Sequence, residues 1–257
     1  MTFAEGFGDS HQAIGVIKLK ISIITATYNA SQHLPALIAS LRTQTCKNFE
    51  WVVADGGSTD GTLAILNQVN DMSLVVDTQP DFGIYDALNR AIKKSSGDYY
   101  IVAGCDDVFH KDAVKNFLCH VDKFAPKILS AKVSYDGVIK SKMYFPAVFG
   151  HAAYIYSHVV STAFRKDLHD EFGYYSNKYP IAADQFFVLN MCEKGVHVVR
   201  ADFFAGEVGM SGVSSVDLLG NATEIFRVQV ALGRTIFFQS VLLLLRIICS
   251  AFHMKMF

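Results

Sequence analysis

The sequence has no excess of charge of either sign. Its 257 residues carry 23 Lys and Arg against 24 Asp and Glu, a formal net charge of -1. Without a basic patch or stripe there is no electrostatic footprint for a nucleic acid, and none is expected as a partner. Paired cysteines are missing too. The five, Cys46, Cys105, Cys119, Cys192 and Cys249, are odd in number and show no Cys-x-x-Cys spacing. That argues against a disulfide framework and a thiolate zinc site, and fits a reducing, cytoplasmic setting. The first 20 residues contain Glu5 and Asp9, with basic residues only at Lys18 and Lys20. They lack the charged and apolar regions of a signal peptide and read as a loose leader. No Gly-x-Gly-x-x-Gly follows the first strand-like run, which argues against a dinucleotide fold, and no Gly-rich basic loop stands there to hold a triphosphate. Repeats and low-complexity stretches are absent.

Apolar residues are abundant, at 51% with 20 Phe, and mean hydropathy is positive at +0.25. That excess points toward a membrane surface. The apolar residues are ordered. Ile21 to Thr25 is a β-branched run ending at Thr27-Tyr28-Asn29, followed by helical spacing from Ser31 to Leu41. Phe49 to Ala54, then Asp55-Gly56-Gly57-Ser58, then a helix capped by Ser58 or Thr59 repeats the pattern. Ser73 to Asp77, the helix Ile84 to Lys94, and Tyr99 to Ala103 complete it. Strands alternating with helices predict an α/β fold with a parallel sheet covered on both faces. Ligands of such sheets gather at the carboxyl ends of the strands, so the loops holding Thr27-Tyr28-Asn29, Asp55 and Asp106-Asp107 are expected to converge.

Beyond a helix near Lys111 to His120 the pattern changes. Ile128 to Tyr135 and Val138 to Tyr144 flank Asp136-Gly137, a two-residue hairpin signal. A His- and Tyr-rich passage, a polar helix near Lys166 to Glu171, a helix containing Asp184, and a last strand at Val196 to Arg200 follow. Gly206 to Ser215 reads as a Gly/Ser loop, a lid or a plain surface connection.

Adjacent carboxylates at a strand end oppose one another's ionisation unless something neutralises them. A divalent cation, Mg²⁺ or Mn²⁺, held by Asp106 or Asp107 while it clamps a diphosphate, would do so. Alone, the pair reads more readily as a solvated turn that caps the next helix. The set of motifs is more specific: ISIITATYN, Gln44-Thr45, FEWVVADGGSTDGT, DFGIYDALNRAI, GDYYIVAGCDD and IAADQF. From Ile21 to Ser215 the chain resembles family 2 glycosyltransferases of the GT-A fold, of the bacterial exopolysaccharide and O-antigen type.

That resemblance implies a mixed, Rossmann-like sheet flanked by helices, a nucleotide-sugar donor, a divalent metal, and an acceptor that is a saccharide or a polyprenyl-linked saccharide. It places Thr27 and Tyr28 beside the nucleotide base and Asp55 on the base. Asp106 would face the ribose or metal, and Asp107 would be the better metal ligand. Where the family often has Asp-x-Asp-Asp, Gly104 takes the first place, one carboxylate fewer. Asp86, Asn89 and Arg90 share a helical turn bordering donor sugar and diphosphate, Arg90 as compensating cation or as a plain surface charge. Asp184 matches the acceptor-side acid and is the expected base for an inverting displacement, with apolar flanks to desolvate it; read alone, it is also a helix cap. His158 resembles a histidine that contacts acceptor or diphosphate; read alone, a single His is more often structural. No Gln-x-x-Arg-Trp is present, since the single Trp is Trp51, so the expected transfer is non-processive. A sugar nucleotidyltransferase and a non-catalytic partner in a polysaccharide assembly are the alternatives.

The chain thus divides into a leader (1–20), a GT-A domain (21–215) and a C-terminal helical extension (216–257). Ile236 to Phe252 is apolar apart from Gln239, Ser240, Arg246 and Ser250. It is short for a span of about 20 residues and reads as a helix lying at the inner face of the cytoplasmic membrane, or as one packed on its own domain.

Overall fold

The computed structural model describes residues 19–139, 143–210 and 217–251. At its centre lie four parallel strands. Strand β1 (Ile21–Thr27) runs between β2 (Phe49–Asp55) and β4 (Tyr99–Val102), and β3 (Leu74–Thr78) lies outside β2. The register sets Ile21 against Phe49 and Thr27 against Asp55, so both strands end level. Every residue of β2 is buried, as expected for a parallel strand covered on both faces.

Alternate side chains feed two cores. Ile21, Ile23, Trp51 and Val53 pack beneath α1 (Leu34–Arg42) and α4 (Ala113–Phe124), with Leu34, Leu37 and Phe117. Ile24, Val52, Tyr100 and Val102 pack beneath α3 (Ile84–Lys94) and α7 (Ala183–Glu193), with Leu88, Ile92 and Leu189. Tyr85, Leu88 and Ile92 recur at helical spacing on the buried side of α3. Each such fully buried aliphatic side chain contributes about 1.5–3 kcal/mol.

The second half adds β5 (Val108–Phe109), β6 (Ile128–Tyr135), β7 (Val138–Ile139), β8 (Thr162–Arg165) and β9 (Val198–Val208). The sheet runs β3-β2-β1-β4-β8-β6-β9-β5, with β7 on β6. Strand β8 is antiparallel to β4 and β6, whereas β6 and β9 are parallel, so the sheet is mixed. The hairpin forms as predicted at Asp136-Gly137, both at positive φ (48 and 74), the signature of a type I′ turn. Its second strand ends at Ile139, and residues 140–142 of the expected strand lie outside the described residues.

Several boundaries differ from expectation, and the second helix starts at Thr62 behind Gly61, without the side-chain cap expected from Ser58 or Thr59. The last strand continues to Val208 because its whole length pairs with β6, with register shifts beside Lys132. Gly206, expected in a loop, sits in that strand, where a Cβ would meet the Val108 carbonyl at 2.2 Å. Of the predicted loop, residues 211–215 lie outside the described residues. Lys20, assigned to the leader, is anchored: its amide donates to Asp98 and its ammonium to Glu50 and Ser96.

Short helices α2 (Thr62–Asn67), α5 (Pro146–Phe149) and α6 (Leu168–Phe172) complete the domain. The C-terminal helices are α8 (Leu218–Ala231) and α9 (Ile236–Ala251). They are fastened to the domain by polar side chains: Gln229 donates to Pro146 O, Gln239 to Ala147 O and Arg246 to Val148 O. Helix α9 therefore turns Gln239 and Arg246 inward. It leaves Phe237, Val241, Leu244, Leu245 and Ile248 exposed, the reverse of a helix in water. No helix among the described residues is long and apolar enough to cross a membrane.

Candidate active site

The parallel strands end in a common region, as predicted, but the side chains there divide into three groups. The first is a closed knot. Asp55, wholly buried, accepts from the amides of Gly57 (3.0 Å) and Ser58 (2.8 Å), from the Thr27 hydroxyl (2.8 Å) and from the Ser58 hydroxyl (2.6 Å). Thr27 and Asp55 are brought together as the level strand ends require. Their polar atoms bond each other and the Ser58 turn, while Tyr28 stands 68% exposed at the rim.

The second group lies on α3. Arg90, expected as a cation for the diphosphate, is instead enclosed by carboxylates: Asp77 at 2.5 Å, Asp81 at 3.7 Å and Asp86 at 3.9 Å. Three anions around one guanidinium leave no surplus positive charge. Asn89 clamps the backbone of Tyr175, donating to its carbonyl (2.9 Å) and accepting from its amide (3.0 Å). Asp86, Asn89 and Arg90 thus shape the wall of the site and do not line its cavity.

The third group does line a cavity of about 300 Å³, which holds Asp106, Asp107, His158 and Asp184 together with Tyr85, Tyr135, Gln185 and Gly209. A larger hollow of about 510 Å³ at the opposite strand ends, around Asp98, Arg165 and Asp170, contains none of the candidate residues. Chemistry is therefore assigned to the smaller cavity.

Within it, Asp107 is 1% exposed, and burial pushes its carboxyl up to about 7 despite two backbone donors. Those donors are Gly104 N–H at 2.6 Å and Gly209 N–H at 2.8 Å, one to each oxygen. Asp107 therefore staples the end of β9 to the acidic turn. Asp106 is partly exposed at the cavity wall. Gly209 comes so close that a Cβ there would lie 2.0 Å from Asp106 Cγ, so a larger residue would displace the Asp106 carboxylate.

Asp184 sits in the first turn of α7. The Tyr85 hydroxyl is 2.7 Å from Asp184 Oδ1 and 2.9 Å from Ile181 O. His158 Nδ1 lies 4.0 Å from Asp184 Oδ2. The carboxylate is thus set among polar groups, whereas its apolar sequence neighbours Ala183 and Phe187 point into the core. Glu224 of α8 accepts from the amides of Ile181 (2.8 Å) and Ala182 (2.9 Å), fixing the turn that presents Asp184. Val160, two residues past His158, has φ 60, an outlier for a β-branched residue. It is pinned by its amide bond to Val102 O at 2.7 Å, strain of the kind held at functional sites.

Residues 22–151 match the family model described as Glycosyl transferase family 2. The chain belongs to that family. Family 2 relatives include a PGL/p-HBAD biosynthesis glycosyltransferase of Mycobacterium bovis, 29% identical over 71% of this chain and 75% of the relative. A putative teichuronic acid biosynthesis glycosyltransferase, TuaG of Bacillus subtilis, is 31% identical over 38% of this chain and 40% of its own. Among solved structures, S. aureus TarS 1–349 in complex with UDP-GlcNAc superposes with a TM-score of 0.70 at 21% identity, covering 88% of this chain and 70% of that one. A mannosyltransferase from Pyrobaculum calidifontis, in complex with GDP-Man and Mn²⁺, gives 0.67 at 16%, covering 89% and 70%. The fold is GT-A, and the protein is a glycosyltransferase.

The family match ends at His151, before His158, Asp184 and Glu224. The metal expected of a family 2 enzyme needs oxygen donors at the diphosphate end of the cavity. No group of three or more His, Cys, Asp or Glu among the described residues is arranged to hold an ion. Asp107 has an amide on each oxygen, and Asp106 lines the same cavity beside it. One carboxylate completed by phosphate oxygens and water fits the habit of Mg²⁺.

Tyr85, Tyr175 and Glu224 were not singled out in the sequence. Tyr85 stands in the DFGIYDALNRAI motif, one residue before Asp86, so the motif carried the signal. Glu224 had none, being a lone acid in an apolar helix.

Proposed function

We propose that this family 2 enzyme is an inverting, non-processive transferase that moves a sugar from a nucleoside-diphosphate donor to a hydroxyl of a saccharide or lipid-linked saccharide. Asp184 is its base. The single observation that carries this reading is Asp184 sharing one cavity with Asp106 while Tyr85 fixes one of its oxygens. Asp184 takes the acceptor proton, the acceptor oxygen bonds to the anomeric carbon, and the electron pair of the breaking C–O bond leaves with the diphosphate. Asp106, with Asp107 beside it, would hold a divalent cation, which would supply electrostatic stabilisation to the diphosphate. Thr27, Tyr28 and Asp55 are proposed to form the base end, with Tyr28 offering an exposed ring for stacking. The UDP-GlcNAc complex of TarS supports a uridine donor, and the similarity to PGL/p-HBAD and teichuronic acid biosynthesis glycosyltransferases supports a role in cell-surface glycan biosynthesis.

The outward apolar face of α9, set on a polar inner face, supports peripheral contact with a bilayer, the cytoplasmic leaflet being where nucleotide sugars are available. Incubation with a panel of nucleotide sugars and Mn²⁺, following nucleoside diphosphate release, tests the reading. Release from one donor by the wild type, lost in Asp184→Asn, supports it; equal release by both removes Asp184 as base.

A further inference from the structure

A chain of buried hydrogen bonds fixes the protonation of His158. It begins at His169, whose Nδ1 is 3.0 Å from the Gly173 carbonyl. A carbonyl only accepts, so Nδ1 carries the proton. Burial disfavours the imidazolium of His169, which leaves Nε2 as a lone pair accepting from the Tyr100 hydroxyl at 2.9 Å. With its one proton so used, Tyr100 accepts from the Tyr175 hydroxyl at 3.2 Å. Tyr175 in turn accepts from His158 Nε2 at 2.7 Å. Each link dictates the next, and the chain ends with His158 in the Nε2–H form. Burial pushes its ring down to about 4 against the pull of Asp184, so it is neutral at pH 7.

His158 Nδ1 is therefore a bare lone pair, and it faces Asp184 Oδ2 across 4.0 Å. Two acceptors cannot bond one another, and a single hydroxyl proton serves only one of them. A phosphate oxygen at Nδ1 would be a further acceptor, which removes the diphosphate as its partner. We propose that His158 Nδ1 is a specificity contact that accepts from a second hydroxyl of the sugar acceptor, adjacent to the hydroxyl deprotonated by Asp184. The enzyme then selects acceptors carrying a vicinal diol. No proton is transferred to His158; it reads the neighbouring hydroxyl and orients the attacking one. This inference rests on the reading of Asp184 as base.

Two measurements test it. In the intact protein labelled with ¹⁵N-histidine, long-range ¹H–¹⁵N spectra at pH 7 should show a neutral ring protonated at Nε2, whose signal disappears in His158→Asn. A ring protonated at Nδ1, or an imidazolium, overturns the proposal whatever the activity. The second uses methyl pyranosides as acceptors. Removing the hydroxyl next to the attacked one should lower wild-type kcat/KM by about 100-fold or more, since a site built to bond a hydroxyl rejects the analogue lacking it. In His158→Leu the same deoxygenation should cost under about threefold, and His158→Asn, with an amide oxygen near the Nδ1 position, should restore much of the discrimination. Equal deoxygenation penalties in wild type and His158→Leu, or a wild type that uses no methyl pyranoside, overturn the proposed acceptor contact. Donor hydrolysis in Asp184→Asn judges the base separately.

Discussion

The Tyr85 hydroxyl donates to Asp184 Oδ1 at 2.7 Å, joining the helix after β3 to the helix that presents the proposed base. The two residues are 99 positions apart in sequence. One belongs to the half of the chain that carries the family match and the other to the half beyond it. Their bond thus ties α3 to α7, and it leaves Oδ2 toward His158.

Tyr85→Phe removes that bond together with the hydroxyl's contact to Ile181 O, and leaves the ring in place. A hydrogen bond to a charged group is worth about 1.5–3 kcal/mol, so kcat should fall roughly 10- to 100-fold with donor KM nearly unchanged. Asp184→Asn removes the base itself and should lower kcat by about 10²–10⁴. Steady-state kinetics on both variants check the order; a Tyr85→Phe enzyme as active as wild type would show that Asp184 is oriented without it.

The neighbouring carboxylates should separate cleanly. Asp107→Asn keeps an acceptor for one of the two backbone N–H groups and sets an amide donor against the other, costing about 1–3 kcal/mol and lowering Tm by roughly 2–4 °C for each kcal/mol at this chain length. Asp106→Asn, at a partly exposed position, should lower Tm less than Asp107→Asn does while raising the Mn²⁺ concentration needed for half-maximal activity. Thermal unfolding and metal titration give the answer. A metal defect confined to Asp107→Asn would make Asp107 the principal ligand.

The sequence made the sheet legible because β1, β2 and β4 are buried on both faces and so read as unbroken apolar runs. The carboxylates at their ends were legible for the same reason: a charged residue directly after such a run has few places to be. What those side chains bond was not legible. Arg90 looked like an anion ligand until Asp77, Asp81 and Asp86 were seen around it, and Asp77 lies on another element. Asn89 looked like a donor contact, yet it holds the backbone of Tyr175, 86 residues away. Long-range pairings of this kind leave no local periodicity. Glu224 is the clearest case, since nothing about an acid on an apolar helix says which amides it will meet.

Glu224 also makes a claim about the C-terminal helices. Its carboxylate holds the amides of Ile181 and Ala182 and so the first turn of α7. Ending the chain at residue 216 should abolish transfer even to a water-soluble acceptor without lipid, and Glu224→Ala should lower kcat and cost about 1–3 kcal/mol of stability. Full activity of the shortened chain on a soluble acceptor would reduce α8 and α9 to an attachment.

Acid should unsettle the amino ends of the central strands first. Burial alone would raise the carboxyl of Glu50, but donors from Lys20, Ser22 and Ser96 outweigh it and hold it at about 2, against 4.5 when unfolded. Between those values the unfolded chain binds the proton more readily, so this contribution is complete above pH 4.5 and lost as pH falls toward 2. Glu50→Gln should be less stable at pH 7 and show a flatter decline across that window in urea unfolding. Parallel pH curves for the two proteins would show that Glu50 is not the group responsible.

The outward face of α9 separates lipid contact from internal packing. Phe237, Val241, Leu244 and Ile248 follow at spacings of four, three and four, which places them on one stripe. Phe237 is 79% and Leu244 59% exposed, so neither supports the core. Phe237→Glu combined with Leu244→Glu should therefore leave Tm within about 1 °C. Two carboxylates in that stripe oppose insertion at an interface where burying each apolar side chain contributes about 1.5–3 kcal/mol, and binding to vesicles with anionic headgroups should fall at least tenfold in co-sedimentation. Activity on a soluble acceptor should not change, because Gln239 and Arg246 still fasten the inner face to Ala147 and Val148. If the double variant sediments with vesicles as wild type does, the stripe is not the lipid contact. If it instead loses stability, the stripe is covered by protein.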